Sequence, residues 1–194
     1  QTYSSDRPGG EGYSVFPLQM GDGSYTVRVM EQVENDLYAL RFGVEIEVKL
    51  ADETVPFLYP NQYVWYDAST KTVQKARELA QGLTSQTEIA RAFYAFVVKH
   101  MTYDTKKAAT VLGGSLRGYL PSADEALDSG TGICFDYAAL LAVMLRSEGI
   151  PTKMLIGTVT PENLYHSWNS VFLEGKWVWM DPTLDGTGHK EKDY

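Results

Sequence analysis

The feature that most constrains the fold is an unbroken apolar run of nine residues, Tyr137 to Leu145. The run is about half the ~20 residues that a helix needs to cross a bilayer, so it predicts no membrane span. Gly149 and Pro151 follow it and are typical of a helix end. The pattern therefore predicts a helix that packs in a globular core. Its predicted packed face consists of Ala138, Leu141, Ala142 and Leu145.

The turn before this helix, from Gly130 to Cys134, places the single cysteine of the chain in the first helical turn. The unpaired N–H groups and the positive end of the helix dipole at that position favour a thiolate. Cys134 also lies four residues before Ala138, so its side chain points along the packed face. One cysteine excludes an internal disulfide and a zinc site built from thiolates. Taken alone, such a cysteine is more often a small buried hydrophobe than a nucleophile.

The segment after the helix predicts a β-hairpin. Residues 165–173 and 176–181 alternate as strands do, and Glu174-Gly175 is typical of a two-residue turn. In this register Trp168 faces Asp181, so His166 and Asp181 become diagonal neighbours on one face. Diagonal pairs sit roughly 7–8 Å apart at the backbone, within reach of an imidazole–carboxylate hydrogen bond. A slip of one residue would place the two side chains on opposite faces.

Cys134, His166 and Asp181 supply the three groups of a thiol-dependent catalytic site. A nucleophilic thiol needs a base that takes its proton and a third group that orients the base. The alternative for Asp181 is a carboxylate at a strand end that caps the turn before Pro182. The presence of all three residue types together favours the catalytic interpretation.

Four motifs in this half of the chain closely resemble the transglutaminase-like superfamily. They are Gly132-x-Cys-x-Asp-Tyr-Ala138, Leu145-Arg-Ser-Glu-Gly-Ile-Pro151, His166-Ser-Trp168 and Trp179-Met-Asp-Pro-Thr183. The resemblance covers roughly residues 85–183 and is specific, because separate motifs occur in the order of the family. The N-terminal strands and residues 56–66 resemble extensions of exported bacterial members.

The resemblance implies an α+β, papain-like core in which a helix bearing the cysteine packs on an antiparallel sheet. By position, it implies that Cys134 is the nucleophile, His166 the base and Asp181 the orienting acid. The implied reaction is acyl transfer at an amide carbonyl through a Cys thioester. Water would resolve the thioester in a cysteine protease or amidase, and an amine would resolve it in protein-glutamine transamidation.

Hydrolysis is slightly favoured, since no basic or aromatic feature of the sequence identifies an amine-acceptor site. A catalytically silent binding or scaffold module is the alternative from another class. A redox-sensing thiol is disfavoured, because the chain has no second cysteine to resolve the oxidised form.

Other candidate residues have simpler interpretations. We expect Asp136 to favour the helix N-terminus, His100 to extend the apolar face of its helix, and His189 to lie in a solvated tail. No side chain matches the oxyanion-stabilising aromatic or amide group of the family, so that role is expected of the backbone N–H of Cys134. Three tryptophans are interpreted as core or pocket wall: Trp168, Trp177 and Trp179.

Charge and composition limit the partners. The formal net charge of −8 repels phosphate backbones and anionic lipid surfaces, so nucleic acid is not an expected partner. No set of His, Asp and Glu has metal-ligand spacing, and no acidic loop has calcium spacing, so we predict no cofactor and no metal. The expected partner is a protein or peptide substrate, with cell-wall peptides and secreted proteins as candidates. The oligomeric state stays open.

The pattern along the chain predicts three regions: a flexible arm at 1–23, a β extension at 24–68 and a catalytic core at 69–194. The arm holds five glycines and two prolines. Alternation from Tyr25 to Val29 and from Tyr38 to Leu50 predicts two antiparallel strands with one buried face. The chain begins with Gln1, so we expect a leader to have been removed. Together with the resemblance to exported relatives, this predicts an extracellular or cell-envelope location.

Three helices are predicted before the cysteine. One runs from near Thr72 to Gly82, and its apolar residues share a helical face. Ser85 and Glu88 form a capping box that opens the next. A similar pair, Ser122 and Glu125, opens a short helix before Gly130.

Overall fold

The computed structural model describes residues 16–35, 37–114, 118–160 and 164–187. Helices and strands are mixed along these segments, so the chain has the predicted α+β class. The described elements, in chain order, are β1 (Gly23–Glu34), β2 (Leu37–Val48), a 3-10 turn (Val55–Leu58), α1 (Lys71–Ala80), α2 (Gln86–His100), β3 (Thr102–Tyr103), α3 (Thr105–Leu112), α4 (Ala123–Ser129), β4 (Thr131–Gly132), α5 (Cys134–Ser147), β5 (Thr152–Val159), β6 (Leu164–Leu173), β7 (Lys176–Met180) and α6 (Pro182–Gly186).

Helix α5 is the predicted apolar helix and forms the centre of the core. Every residue from Tyr137 to Arg146 is buried, so the helix is packed on all sides rather than along one face. Helices α1, α2 and α4 and strands β5 and β6 pack against it. Complete burial explains why its sequence is apolar without interruption.

Strands β5, β6 and β7 form an antiparallel sheet beside α5, and the hairpin of β6 and β7 has the predicted register. Leu173 pairs with Lys176 across Glu174-Gly175, and both turn residues have positive φ, as a type I′ turn requires. The buried side-chain amide of Asn169 donates to the backbone carbonyl of Ala138 at 3.0 Å. This bond fixes the hairpin to α5.

Helices α1, α2 and α4 are confirmed close to their predicted positions. Ser85 and Ser122 cap α2 and α4 by accepting the backbone N–H three residues further on. Helix α3 is an element that the sequence reading missed. It begins after Asp104, whose carboxylate accepts the backbone N–H groups of Lys106 and Lys107 at 3.0 and 2.9 Å.

The prediction of a buried face for β1 and β2 is wrong. The two strands pair antiparallel, but most of their large apolar side chains are exposed, from 37% for Ile46 to 63% for Leu37. Alternation defines an apolar face, and a second layer is needed to cover it. We call this two-stranded structure the β1–β2 ribbon.

Two parts of the sequence predictions lie outside the described residues: positions 1–15 of the arm, and His189. Within the described part of the chain, no helix combines the length and apolarity that crossing a bilayer needs. Nor do the described residues contain a group of three or more His, Cys, Asp or Glu side chains arranged to hold a metal ion.

Candidate active site

Cys134 is the first residue of α5 and is 7% exposed. The turn in front of it is held by strand β3. The backbone N–H groups of Thr102 and Asp104 donate to the carbonyls of Gly130 and Gly132, each at 2.8 Å. This short parallel bridge fixes where α5 begins. The thiol therefore lies at the positive end of the helix dipole.

His166 lies in β6, 3% exposed, and its Nε2 is 2.7 Å from Oδ2 of Asp181, which directly follows β7. The register of the hairpin makes the two residues neighbours, as the sequence predicts. Since Nε2 is engaged by Asp181, Nδ1 is the ring nitrogen that remains for Cys134.

The surroundings of His166 favour its protonated form. Burial lowers the pKa of His166, but hydrogen bonds with Asp181 and Cys134 and the charges of both groups raise it more, from 6.5 to about 9. At neutral pH the ring is therefore an imidazolium between a carboxylate and a thiol. A neighbouring cation of this kind stabilises a thiolate.

Asp181 uses its two carboxylate oxygens differently. Oδ2 contacts His166, while Oδ1 accepts the backbone N–H groups of Thr183 and Leu184 at 3.2 and 3.1 Å and so caps α6. The hydroxyl of Tyr94 lies 3.0 Å from the backbone carbonyl of Asp181. The capping role and the contact with His166 therefore coexist, and the cap fixes the direction in which the carboxylate points.

Tyr103 is a residue near the thiol that the sequence reading missed. Burial raises the pKa of Tyr103, and the charge of Cys134 raises it further. The pairing of Tyr103 with Gly132 brings it there. A two-residue parallel strand leaves no periodicity in the sequence, so its only signal was an aromatic residue shortly after a helix.

The structure also locates His100 and two of the tryptophans that the sequence singled out. The ring of His100 stacks on Phe96 of the same helix, with centroids 4.9 Å apart, which agrees with the predicted packing role, and its Nε2 lies 2.8 Å from the backbone carbonyl of Leu127. Trp168 stacks on His166, with ring centroids 6.1 Å apart. Trp179 is 79% exposed, so the interpretation of this residue as core is wrong.

A helix that carries the cysteine and packs on an antiparallel sheet carrying histidine and aspartate defines a papain-like α+β protein. The family model of the transglutaminase-like superfamily matches residues 73–182, more than half of the chain. The chain therefore belongs to the transglutaminase-like superfamily. This membership supports a thiol-dependent function in general terms. No curated protein matches the chain.

Three solved structures are similar to the chain at low sequence identity, and the two with TM-scores above 0.5 share its fold. A candidate cysteine protease from Cytophaga hutchinsonii is 22% identical with a TM-score of 0.55, over 71% of this chain and 45% of that one. A TGase is 18% identical with a TM-score of 0.51, over 87% and 47%. The periplasmic domain of TgpA from Pseudomonas aeruginosa is 20% identical with a TM-score of 0.49, over 68% and 46%. The chain thus spans about half the length of each of these proteins.

Proposed function

We propose that this protein is a cysteine-dependent acyl-transfer enzyme that acts on amide carbonyls of protein or peptide substrates, with Cys134, His166 and Asp181 as its catalytic groups. The observation that carries the proposal is the 2.7 Å contact between Nε2 of His166 and Asp181, together with the hydrogen bond between His166 and Cys134. This arrangement provides a nucleophile, a proton carrier and a group that orients the carrier.

The raised pKa of His166 sets the order of proton transfers. With the ring protonated at neutral pH, the thiolate of Cys134 attacks the carbonyl carbon and the electron pair of the C=O bond moves to oxygen. As the tetrahedral intermediate collapses, the C–N bond breaks and His166 donates its Nδ1 proton to the leaving amine. The products of this half-reaction are the free amine and a thioester on Cys134.

Neutral His166 then activates the second acyl acceptor. It takes a proton from water or from an amine as that group attacks the thioester carbonyl, and the C–S bond breaks to restore the thiolate and the imidazolium. We favour water as the acceptor, because the sequence has no basic or aromatic feature that marks an amine site. We assign this chemistry to the region 69–194, with cell-wall peptides and secreted proteins as candidate substrates.

The oxyanion of the intermediate needs hydrogen-bond donors, and we consider two groups of the segments that lead to Cys134. One is the backbone N–H of Cys134, which is among the unpaired N–H groups at the start of α5. The other is the hydroxyl of Tyr103, whose pKa responds to the charge of Cys134. We assign both to the oxyanion hole.

The test is a peptide screen by mass spectrometry, with and without an added primary amine. A product that gains water identifies hydrolysis, and one that gains the amine identifies transamidation. We expect turnover to disappear in Cys134→Ala and His166→Ala and to persist in His100→Gln, which changes a histidine that contacts Leu127 instead.

The alternative, a catalytically silent scaffold module, predicts a different alkylation profile. The rate of Cys134 alkylation by iodoacetamide would then follow pH as for a free thiol, and His166→Ala would leave that dependence unchanged. That result, with no turnover in the screen, would contradict the proposed function.

A further inference from the structure

Asp136 is a buried acid in the first turn of α5, two residues after Cys134, and it is 2% exposed. One oxygen, Oδ2, accepts the backbone N–H of Ile133 at 2.8 Å and the ammonium group of Lys107 at 2.9 Å. The other, Oδ1, accepts the hydroxyl of Tyr119. The carboxylate therefore joins the turn before Cys134 to α3 and to the segment before α4.

The turn before Cys134 is built closely around this carboxylate. A Cβ added to Gly132 would lie 2.5 Å from Cβ and 2.8 Å from Oδ2 of Asp136, closer than real side chains approach. Only glycine fits between the β3–β4 bridge and the acid. The position of Asp136 thus determines the path of the backbone that leads into Cys134.

A carboxylate in the same helical turn as Cys134 acts against the proposed nucleophile, because a nearby negative charge disfavours a thiolate. The side chain of Lys107 supplies the compensating charge. Its ammonium group contacts the carboxylate directly and lies 4.5 Å from the centre of the Tyr119 ring, so it is held on two sides. Tyr119 responds to the same acid: burial raises its pKa, and the hydrogen bond and charge of Asp136 raise it further.

We infer that Lys107, Asp136 and Tyr119 form a charge-neutral clamp that fixes the turn before Cys134 while shielding the thiolate from the carboxylate that does the fixing. Lys107 is a positioning residue in this scheme and touches no substrate. The inference rests on the proposed role of Cys134 as a nucleophile. It goes beyond that role, since it assigns residues outside the catalytic group of three.

Other ionisable groups also face Cys134. They are His166 of β6, which is paired with Asp181, and Tyr103 of β3. Substitutions of Lys107 and Asp136 leave all three in place, so a change in thiol reactivity can be attributed to the clamp.

The experiment measures the alkylation rate of Cys134 by iodoacetamide against pH, using intact mass on the full chain. In Lys107→Met we expect the pH of half-maximal rate to rise by about half a unit or more, because the acid loses its counter-charge. The matched control is Lys106→Met, which removes the same charge from an exposed neighbour on the same helix and should shift the value by less than about 0.2 units. Lys107→Arg keeps the charge and should stay near the wild type.

The double variant Lys107→Met with Asp136→Asn separates charge from structure. It removes both charges, and the amide can still accept from Ile133 while donating to the oxygen of Tyr119, so the half-maximal pH should return to within about 0.2 units of the wild type. A purely structural role would lower the melting temperature of Lys107→Met and leave its pH profile in place. If Lys107→Met does not fold, Lys107→Gln takes its place.

Two outcomes overturn the inference. One is a shift of the half-maximal pH in Lys107→Met that is no larger than in Lys106→Met. The other is a double variant whose half-maximal pH does not return to the wild-type value. His166→Ala is measured alongside. If its profile equals the wild type, the proposed function fails. If it shifts while Lys107→Met does not, the clamp alone fails.

Discussion

The indole of Trp168 lies nearly parallel to the imidazole of His166, with their ring planes 14° apart. Gly157, which pairs with His166 across β5 and β6, provides the space for it. A Cβ at Gly157 would lie 3.1 Å from Cη2 of Trp168. The ring of Trp168 therefore lies beside the imidazole, and its position depends on the missing side chain of Gly157.

Gly157→Ala should disturb His166 without unfolding the protein. The added methyl group displaces the Trp168 ring by a few tenths of an ångström, and we expect the alkylation rate of Cys134 at pH 7 to fall roughly two- to fivefold, since small misplacements at a reacting group cost rate. Gly43→Ala is the matched control, because this glycine also lies in a strand and its nearest neighbour is 3.9 Å from an added Cβ. Equal rates in the two variants would contradict the role of Gly157.

Stability should depend on pH through His166. Its pKa rises from 6.5 to about 9 on folding, so the native state binds an extra proton between these values. The stabilisation is fully present below about pH 6.5 and is lost as the pH rises through about 9. It amounts to roughly 3 kcal/mol in the free energy of unfolding.

Urea denaturation at pH 6 and pH 9.5 measures this dependence. In Asp181→Asn the free energy of unfolding should depend much less on pH. The amide keeps an acceptor for the α6 cap but no longer provides a negative charge for His166. The same loss of stability in both proteins would assign the dependence to other groups.

Tyr103→Phe should separate thiol reactivity from turnover. Alkylation by iodoacetamide forms no tetrahedral oxyanion, so its rate should stay within about twofold of the wild type. Turnover of a peptide substrate should fall by about tenfold or more, since the loss of an oxyanion donor costs catalysis specifically. Steady-state kcat and the alkylation rate, measured on the same preparation, check this. A parallel fall in both rates would indicate a general disturbance of Cys134.

The β1–β2 ribbon and the α5 core should tolerate substitution very differently. Leu141→Ala removes a fully buried side chain and should lower the free energy of unfolding by about 2–5 kcal/mol. Phe42→Thr changes a side chain that is 57% exposed and should cost less than about 0.5 kcal/mol. Chemical denaturation of both variants tests the contrast. A large loss in Phe42→Thr would mean that a partner covers the ribbon in solution.

The sequence was most informative where local rules determine geometry. The turn at Glu174-Gly175 fixes the register of a hairpin, and that register brings His166 next to Asp181. The cap at Ser85 fixes the start of a helix in the same way. In these cases the interacting residues are close in sequence or related by one turn.

Features that depend on distant contacts could not be predicted. Tyr103 pairs with Gly132, two residues before Cys134, through a bridge of two residues to β4. Lys107 and Tyr119 contact Asp136 from separate segments. The β1–β2 ribbon is a second case in which distant contacts could not be predicted. Alternation along β2 predicts an apolar face correctly, but the presence of a covering layer is a property of the whole fold.

Because Asp181 both contacts His166 and caps α6, the thermal stability of the site depends on the stability of a very short helix. Helix α6 has five residues, and its cap and the orientation of His166 come from the same side chain. Local opening of a small element requires less free energy than global unfolding. We therefore expect fraying of α6 on warming to release the imidazole while α5 stays packed, so that heat inactivation precedes melting of the core.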